Sequence, residues 1–463
     1  MLPETPTLVF TLPSIHDGLP LDCRVYHPKS LDPELLKNPQ VLEELPTPLR
    51  LWRKHAAVVA HPYAPLGGCY NDPVVGIAAR TLLDLGYLVM TFNFRGASGS
   101  AGRTSWTAKA ERADYMSAVG FLSYYAHFLD PFCRSAPADI ESAWETSTPD
   151  IPILIMAGYS YGSMVTTQLP SLPTILTKFD APICLSHAAE IRLRAQHLAE
   201  GQNKILSRIR AAVITPQSGR SPRKSLGLRV GGEEEIRPSH EYKRGFSFDA
   251  EDKIRKGVAD LMAKARKGNK RSHSSNYTST LHNGEQSRLG EQTRDEQHKQ
   301  LPVHECLLPI PDRMPASPAY LLISPLQGPI KNLATMSFLA AFSPSSWKPS
   351  GRSSSPKPSG PDPQGRDTKS SVQPDGLVSD EADDKLTRNP TLAVYGDRDI
   401  FVAARKIREW ASRLDRVPGS RFRAHEVSGA GHFWNEGDVA YTMRDAVRTF
   451  GRELLEGTRG PTV

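Results

Sequence analysis

Three residues in this chain could together activate a nucleophile. Ser160 lies in the segment AGYSYGSM, where two glycines flank it in the pattern G-x-S-x-G. Asp399 closes the segment GDRD, and His432 lies in GAGHFW. A serine hydroxyl is a weak nucleophile at neutral pH, so it needs a histidine as general base and a carboxylate that orients the histidine. The residue types and their order along the chain therefore indicate acyl transfer.

The serine motif is weak evidence by itself, because so short a pattern also occurs by chance. An ordinary serine at this place could instead cap the helix that follows. The surroundings favour a nucleophile, since the apolar run 151–156 (IPILIM) predicts a strand before Ser160 and a helix is predicted from about Ser163. Gly158 and Gly162 permit the close backbone approach of a sharp turn between strand and helix.

The wider pattern predicts the elements that would carry these residues. Apolar runs resembling strands (TLVFTL, LDCRVYHP, AAVVA, LVMTFNF, IPILIM, AYLLISPL, TLAVYGDRD and FRAHEVS) are interspersed with helical patterns such as 72–85, 109–125 and 438–455. This alternation predicts an α/β domain with a mostly parallel sheet and helices on both faces. Loops at the carboxyl ends of such strands meet at one edge of the sheet, where a site belongs.

With these segments the chain resembles the α/β-hydrolase superfamily, and within it the small esterase-like serine hydrolases. The matching segments are HPYAPLGG (61–68), FNFRGASGS (92–100), GYSYGS, YGDRDIFV and GAGHFW, and the resemblance covers about residues 55–183 and 319–455. It implies an α/β-hydrolase fold and hydrolysis of an ester or thioester. It also implies that Ser160 is the nucleophile, His432 the general base and Asp399 the orienting acid.

Two assignments within the resemblance have alternatives. Asp397 competes with Asp399 as the acid, although the family pattern of Gly, two residues, Asp, an apolar residue and a later Val favours Asp399. The resemblance also implies an oxyanion hole of two backbone N–H groups, expected from Tyr161 and Tyr63, because Pro62 has no N–H. His61, in the same loop as Tyr63, is expected to have a structural role. We expect no cofactor and no metal.

Two polar segments interrupt the predicted sheet. We expect the hydrolase domain in residues 1–200, 317–342 and 389–463, a basic and largely disordered insertion at 201–316, and a Pro/Ser-rich disordered linker at 343–388. A short helix is possible at 252–268, where apolar residues share one face among lysines and arginines. It is expected to be a transient helix in a solvated linker, with an anionic surface or an acidic protein as the alternative partner.

Charge and cysteine content limit the function classes. Residues 201–300 contain 21 Lys and Arg against 12 Asp and Glu, whereas the whole chain has a net charge of only +7, so the basic character is local and no nucleic-acid partner is expected. Five widely spaced cysteines predict neither a disulfide framework nor a zinc site and favour the cytoplasm. No transmembrane segment is expected. The alternatives to hydrolysis are a non-catalytic scaffold, or an acyl-transfer or cyclising enzyme that uses the same residues.

Overall fold

The computed structural model describes residues 5–44, 52–131, 151–214, 248–273, 306–326 and 376–457. Its strands are β1 Leu8–Pro13, β2 Pro20–Tyr26, β3 Ala56–Ala60, β4 Leu88–Phe92, β5 Ile153–Tyr159, β6 Ser317–Ile323, β7 Thr391–Gly396 and β8 Phe422–Val427. They form one sheet in the order β1-β2-β4-β3-β5-β6-β7-β8. The strand β2 is antiparallel to both of its neighbours, and every pair from β4 to β8 is parallel. This confirms the predicted mostly parallel α/β sheet.

Helices connect the strands and cover both faces of the sheet. They are α1 Pro33–Leu36, α2 Pro39–Glu44, α3 Pro73–Asp84, α4 Lys109–Phe128, α5 Tyr161–Thr167, α6 Leu172–Asp180, α7 His187–Ile214, α8 Phe248–His273, α9 Gly376–Arg388, α10 Ala404–Asp415 and α11 Val439–Gly457. The helices predicted at 72–85, 109–125 and 438–455 correspond to α3, α4 and α11.

Each face of the sheet has its own apolar core, because neighbouring residues of a strand point to opposite sides. On β3, Val59 faces a core that α3 and α11 complete with Leu82 and Phe450. Val58 faces the other core, which contains Phe121 of α4 and residues of α7. The parallel strands in the middle of the sheet are buried throughout, which explains why they read as continuous apolar runs.

The helices α7 and α8 bring part of the predicted insertion into the core. Helix α7 continues through the predicted boundary at residue 200, and α8 is longer than the predicted 252–268 helix. Ile254 and Val258 of α8 are buried in the same core as Leu206 of α7. Helix α8 therefore packs its apolar face against the domain, unlike the transient helix expected in a solvated linker. Residues 215–247 and 274–305 lie outside the described residues.

Helix α9 occupies the end of the segment expected to be a linker. Leu386 is buried in the core, and the buried ammonium of Lys385 donates to the carbonyls of Thr166 (3.1 Å), Thr167 (3.0 Å) and Leu169 (2.6 Å). These carbonyls lie at the carboxyl end of α5, where helical C=O groups have no partner within the helix. Lys385 thus stabilises the short helix that follows Ser160. Residues 327–375, with most of the predicted linker, are not among those described.

Candidate active site

Ser160 lies at a sharp turn between β5 and α5. Its backbone has φ +55° and ψ −113°, a strained conformation for a residue with a side chain. A Cβ added to Gly158 would lie 2.3 Å from the carbonyl carbon of Gly162, and one added to Gly162 would lie 2.6 Å from the carbonyl oxygen of His61. Both glycines are therefore required by the packing of β5, α5 and β3.

The side chains of Ser160, His432 and Asp399 form a continuous hydrogen-bonded chain. The Nε2 atom of His432 lies 2.7 Å from Ser160 Oγ, and its Nδ1 atom lies 2.7 Å from Asp399 Oδ2. Because a carboxylate accepts at Nδ1, that nitrogen carries the proton, and Nε2 is left to accept from the serine hydroxyl. The Ser160 side chain makes no capping hydrogen bond to α5, so the capping alternative does not describe its contacts.

The two aspartates of the GDRD segment have different partners. Asp399 is buried, and its second oxygen, Oδ1, accepts from the N–H groups of Phe401 (2.8 Å) and Val402 (3.1 Å). Asp397 accepts from the Gly429 N–H at 2.7 Å and from the Ser428 hydroxyl at 3.3 Å. Asp399 therefore contacts His432, whereas Asp397 links the loop after β7 to the loop after β8.

The loop that carries His432 is held on two sides. The hydroxyl of Tyr159, at the end of β5, donates to the His432 carbonyl at 2.8 Å. Trp434 has a positive φ of 56° and donates from Nε1 to the Ser324 hydroxyl at 3.0 Å, which joins the loop to the end of β6. The Phe401 ring packs edge-on against the imidazole, with centroids 4.6 Å apart. The imidazole is therefore fixed by contacts from three strand ends.

His61 has a structural position, as the sequence predicts. Its Nε2 accepts from the Phe94 N–H at 2.8 Å, so Nδ1 carries the proton and donates to the Pro62 carbonyl at 2.6 Å. The side chain is completely buried, and this burial lowers the pKa of His61 from 6.5 to about 4. Both ring nitrogens are bonded to backbone groups, so His61 holds the loop after β3 as a neutral residue.

Tyr161 and Tyr63 are the two residues whose backbone N–H groups are expected to donate to an oxyanion. Tyr161 directly follows Ser160, and Tyr63 lies in the loop after β3. Tyr161 is the first residue of α5, and the first N–H groups of a helix have no partner within it. Tyr63 precedes the short 3₁₀ turn Ala64–Leu66, and its carbonyl accepts from the Gly68 N–H at 3.1 Å. The two tyrosine rings pack with centroids 5.1 Å apart. Within the described ranges, neither backbone N–H is bonded to a backbone carbonyl.

A cavity of about 140 Å³ opens in front of Ser160. The loop after β3 contributes Pro62, Tyr63, Leu66, Gly67 and Gly68, and the remaining lining residues are Asp72, Tyr159, Ser160, Leu326, Phe401, His432 and Phe433. The loop 95–107 does not line this cavity. Phe401 and Phe433 belong to the segments YGDRDIFV and GAGHFW but were assigned no role from the sequence, and Asp72 belongs to none of the quoted motifs.

Arg95 anchors the loop that follows β4. Its guanidinium forms two hydrogen bonds with the buried carboxylate of Asp114, at 2.7 and 2.9 Å, and pairs with Asp17 at 2.9 Å. Bidentate pairing of this kind fixes the planar side chain. Arg95 thus ties the loop after β4 to α4.

Two negative findings concern the described residues alone. None of their His, Cys, Asp and Glu side chains form a group of three or more that could hold a metal ion. None of their helices combines the length and the apolar character needed to cross a membrane.

The strand order, the antiparallel β2 and the strained serine turn after β5 decide the fold. The chain has the α/β-hydrolase fold. Known α/β-hydrolase structures are similar to it at low sequence identity. They include a putative α/β hydrolase from Agrobacterium tumefaciens (11% identity, 98% of this chain and 99% of that one, TM-score 0.40). A Xanthomonas campestris α/β serine hydrolase described as lacking a lid is 15% identical over 98% and 97% of the two chains (TM-score 0.37).

A further similar structure is esterase 2 of Thermogutta terrifontis, phosphoramylated by tabun, with 11% identity over 99% and 98% of the two chains and a TM-score of 0.38. No protein-family model matches the chain, and no curated protein matches it by sequence. These similarities concern the fold alone, and the chemistry of the site depends on the chain's own side chains.

Proposed function

We propose that this α/β-hydrolase is a serine hydrolase that cleaves a carboxylic ester or thioester through an acyl-enzyme on Ser160. The observation that carries the proposal is the contact chain from Ser160 Oγ through His432 to Asp399, with 2.7 Å at both steps. A nucleophile, a base within hydrogen-bond reach and a group that orients the base are the parts that nucleophilic catalysis requires. Ser160 lines a cavity that can receive a small substrate.

Acylation follows from this geometry. His432 Nε2 takes the hydroxyl proton while Ser160 Oγ forms a bond to the substrate carbonyl carbon, and the carbonyl electrons move onto its oxygen. The backbone N–H groups of Tyr161 and Tyr63 are proposed to stabilise this oxyanion. When the intermediate collapses, the bond to the leaving oxygen or sulfur breaks, and His432 returns the proton to the leaving group.

Deacylation repeats the same steps with water. His432 takes a proton from water, the hydroxide oxygen attacks the acyl carbon, and Ser160 leaves with the proton returned by His432. The imidazolium that forms in both half-reactions lies against the buried Asp399 carboxylate. Because Asp399 is fixed by two backbone N–H groups, it can stabilise that charge without rearrangement.

Hydrolysis of p-nitrophenyl esters of short acids tests the proposal. Replacing Ser160 or His432 by Ala should reduce kcat by about 10⁴-fold or more, because removal of either member disables the whole unit. Ser163→Ala is the matched control, because Ser163 lies one turn away in α5 and its buried hydroxyl has no hydrogen-bond partner within the described residues. Full turnover by Ser160→Ala would overturn the proposal.

The same residues would also serve an acyl-transfer or cyclising enzyme, in which an alcohol or amine replaces water in deacylation. Product analysis with an added nucleophile separates the two, since a transferase forms the new ester or amide in preference to the free acid. A non-catalytic scaffold would turn over no ester at all. The complete contact chain favours an enzyme, because a scaffold has no need for a serine in a strained turn.

The widely spaced cysteines favour the cytoplasm. The proposed partner of the site is a small ester or thioester. The basic segment 201–300 is proposed to contact an anionic surface or an acidic protein, because the cations of Lys253 and Lys256 are exposed on α8.

A further inference from the structure

Asp72 places a carboxylate in the wall of the cavity. It caps the amino end of α3, where Oδ1 accepts from the N–H groups of Val74 (2.8 Å) and Val75 (3.4 Å). Its other oxygen, Oδ2, has no hydrogen-bond partner within the described residues. The side chain is only partly buried, and Asp72 lines the cavity in front of Ser160. One oxygen is therefore committed to the helix, and the other is available to a ligand.

Among the described residues, Asp72 forms no salt bridge, and no Lys or Arg side chain contributes to the shift of its pKa; His432 lowers that pKa only when the imidazole is protonated. Burial raises the pKa of Asp72, and its hydrogen bonds to Val74 and Val75 oppose that rise. A partly desolvated carboxylate with an open oxygen gains most from a ligand that brings a positive charge.

The rest of the wall suits the same kind of group. Four lining residues are aromatic: Tyr63, Tyr159, Phe401 and Phe433. Aromatic faces attract cations, and walls of this kind bind quaternary ammonium groups. The cavity of about 140 Å³ is close in size to a protein cavity that holds benzene, so it accommodates a small ammonium group but not a long chain.

We propose that Asp72 makes this cavity selective for esters that carry a small cationic group, a primary or quaternary ammonium, next to the scissile bond. This inference rests on the proposed function, because it assumes that the cavity receives the substrate of Ser160. Asp72 is then a specificity-determining residue whose carboxylate binds the cation, while the aromatic rings surround it. Substrates with a carboxylate at the same place are repelled.

The chain offers a matched pair of variants. Asp72→Asn removes the charge and keeps the helix cap, because Asn is as good a capping residue as Asp. Asp32→Asn makes the same change at another Asp-Pro cap, where Asp32 accepts from the Glu34 N–H at the start of α1, a residue that does not line the cavity. Asp32→Asn therefore controls for the effect of the substitution on folding.

Binding of choline and its uncharged isostere 3,3-dimethylbutan-1-ol, measured by calorimetry, tests cation recognition without turnover. We expect the full chain to bind choline roughly 10-fold more tightly than the isostere. That preference should shrink in Asp72→Asn, where only the aromatic rings still attract the cation, and persist unchanged in Asp32→Asn. Equal binding of the two compounds by the unmodified chain, or an undiminished preference in Asp72→Asn, would overturn the inference.

Two pairs of esters then test on which side of the scissile bond the cavity binds the cation. Acetylcholine against 3,3-dimethylbutyl acetate puts the charge on the alcohol, and the β-alanyl against the butanoyl p-nitrophenyl ester puts it on the acyl group. The inference requires a higher kcat/KM for the charged member of at least one pair, and a ratio that falls roughly 10-fold in Asp72→Asn. Hydrolysis of all four esters without such a preference would overturn it.

Choline binding and ester hydrolysis distinguish cation recognition by Asp72 from catalysis by Ser160. If choline binds with the predicted dependence on Asp72 but none of the four esters is hydrolysed, cation recognition stands and the proposed hydrolase function fails. If the esters are hydrolysed with no dependence on charge, the hydrolase function stands and the role of Asp72 fails.

Discussion

The Oδ2 atom of Asp399 lies 2.7 Å from Nδ1 of His432. The carboxylate of Asp397, two residues earlier, is bonded instead to the loop after β8, through Gly429 and Ser428. Both aspartates follow the same strand, and the family pattern in the sequence already favours Asp399. These contacts support Asp399 as the proposed orienting acid, whereas Asp397 links two loops.

This difference predicts unequal effects of two identical substitutions. Asp399→Asn should lower kcat on a p-nitrophenyl ester by about 10³- to 10⁴-fold, because an amide at this place stabilises neither the proton on Nδ1 nor the imidazolium. Asp397→Asn keeps an acceptor for the Gly429 N–H and should lower kcat by less than roughly 10-fold. Comparable losses in the two variants would contradict the assignment.

The buried His61 predicts a loss of stability in mild acid. Its pKa is about 4 in the folded chain and 6.5 in the absence of burial, so the unfolded chain binds the proton first as the pH falls. The stability that neutral His61 contributes is thus complete above pH 6.5 and is lost between pH 6.5 and about 4. Between pH 7 and pH 5 this amounts to about 2 kcal/mol of the free energy of unfolding.

Urea unfolding of the unmodified chain and of His61→Gln at both pH values measures this contribution. Gln keeps an acceptor for the Phe94 N–H but does not titrate, so the variant should lose about 2 kcal/mol less between pH 7 and pH 5. The buried His27, whose pKa is also lowered, to about 3, contributes equally to both proteins and cancels. If the free energy of unfolding depended on pH equally in the unmodified chain and in His61→Gln, the pKa of His61 would not be lowered in the folded chain.

Gly162 should not tolerate the smallest side chain. A Cβ there would lie 2.6 Å from the carbonyl oxygen of His61, which belongs to the backbone and cannot rotate away. Gly162→Ala should therefore displace α5 from β3, destabilise the fold by about 1–3 kcal/mol and reduce ester turnover.

Gly201→Ala is the control for this substitution. Gly201 lies inside α7, where a Cβ would meet nothing within 4 Å. The change should stabilise the protein by about 0.5–1 kcal/mol, because Ala is the better helix former, and leave turnover unchanged. Unfolding midpoints and kcat/KM of both variants provide the measurement. A Gly162→Ala protein as stable and active as the unmodified chain would show that the turn is looser than the structure has it.

Local patterns in the sequence were sufficient to predict the strands and the residues at their carboxyl ends. The apolar run before Ser160 and the segments around Asp399 and His432 each predicted a position in the sheet, and parallel strands bring their carboxyl ends to one edge. Because Ser160, Asp399 and His432 all follow such strand ends, their side chains were expected to meet at that edge. A mostly parallel sheet was predictable because both of its faces are buried.

Long-range packing was not predictable from the same patterns. Lys385 is one cation in a polar segment, and only the tertiary fold brings it to the carbonyls at the end of α5. Ile254 and Val258 gave a helical pattern, but the surface they pack against is formed by α7, distant in the chain. Asp72 reads as an ordinary helix cap, since its place in the cavity wall depends on loops from three other strands.

The most direct test of the central claim is covalent labelling of Ser160. A fluorophosphonate reacts with a serine hydroxyl that an adjacent histidine activates, and mass spectrometry of the digested protein locates the adduct. The account predicts one adduct, on Ser160, in the folded protein, and strongly reduced labelling in His432→Ala. A folded protein in which Ser160 stays unmodified, or is modified equally fast without His432, would contradict it.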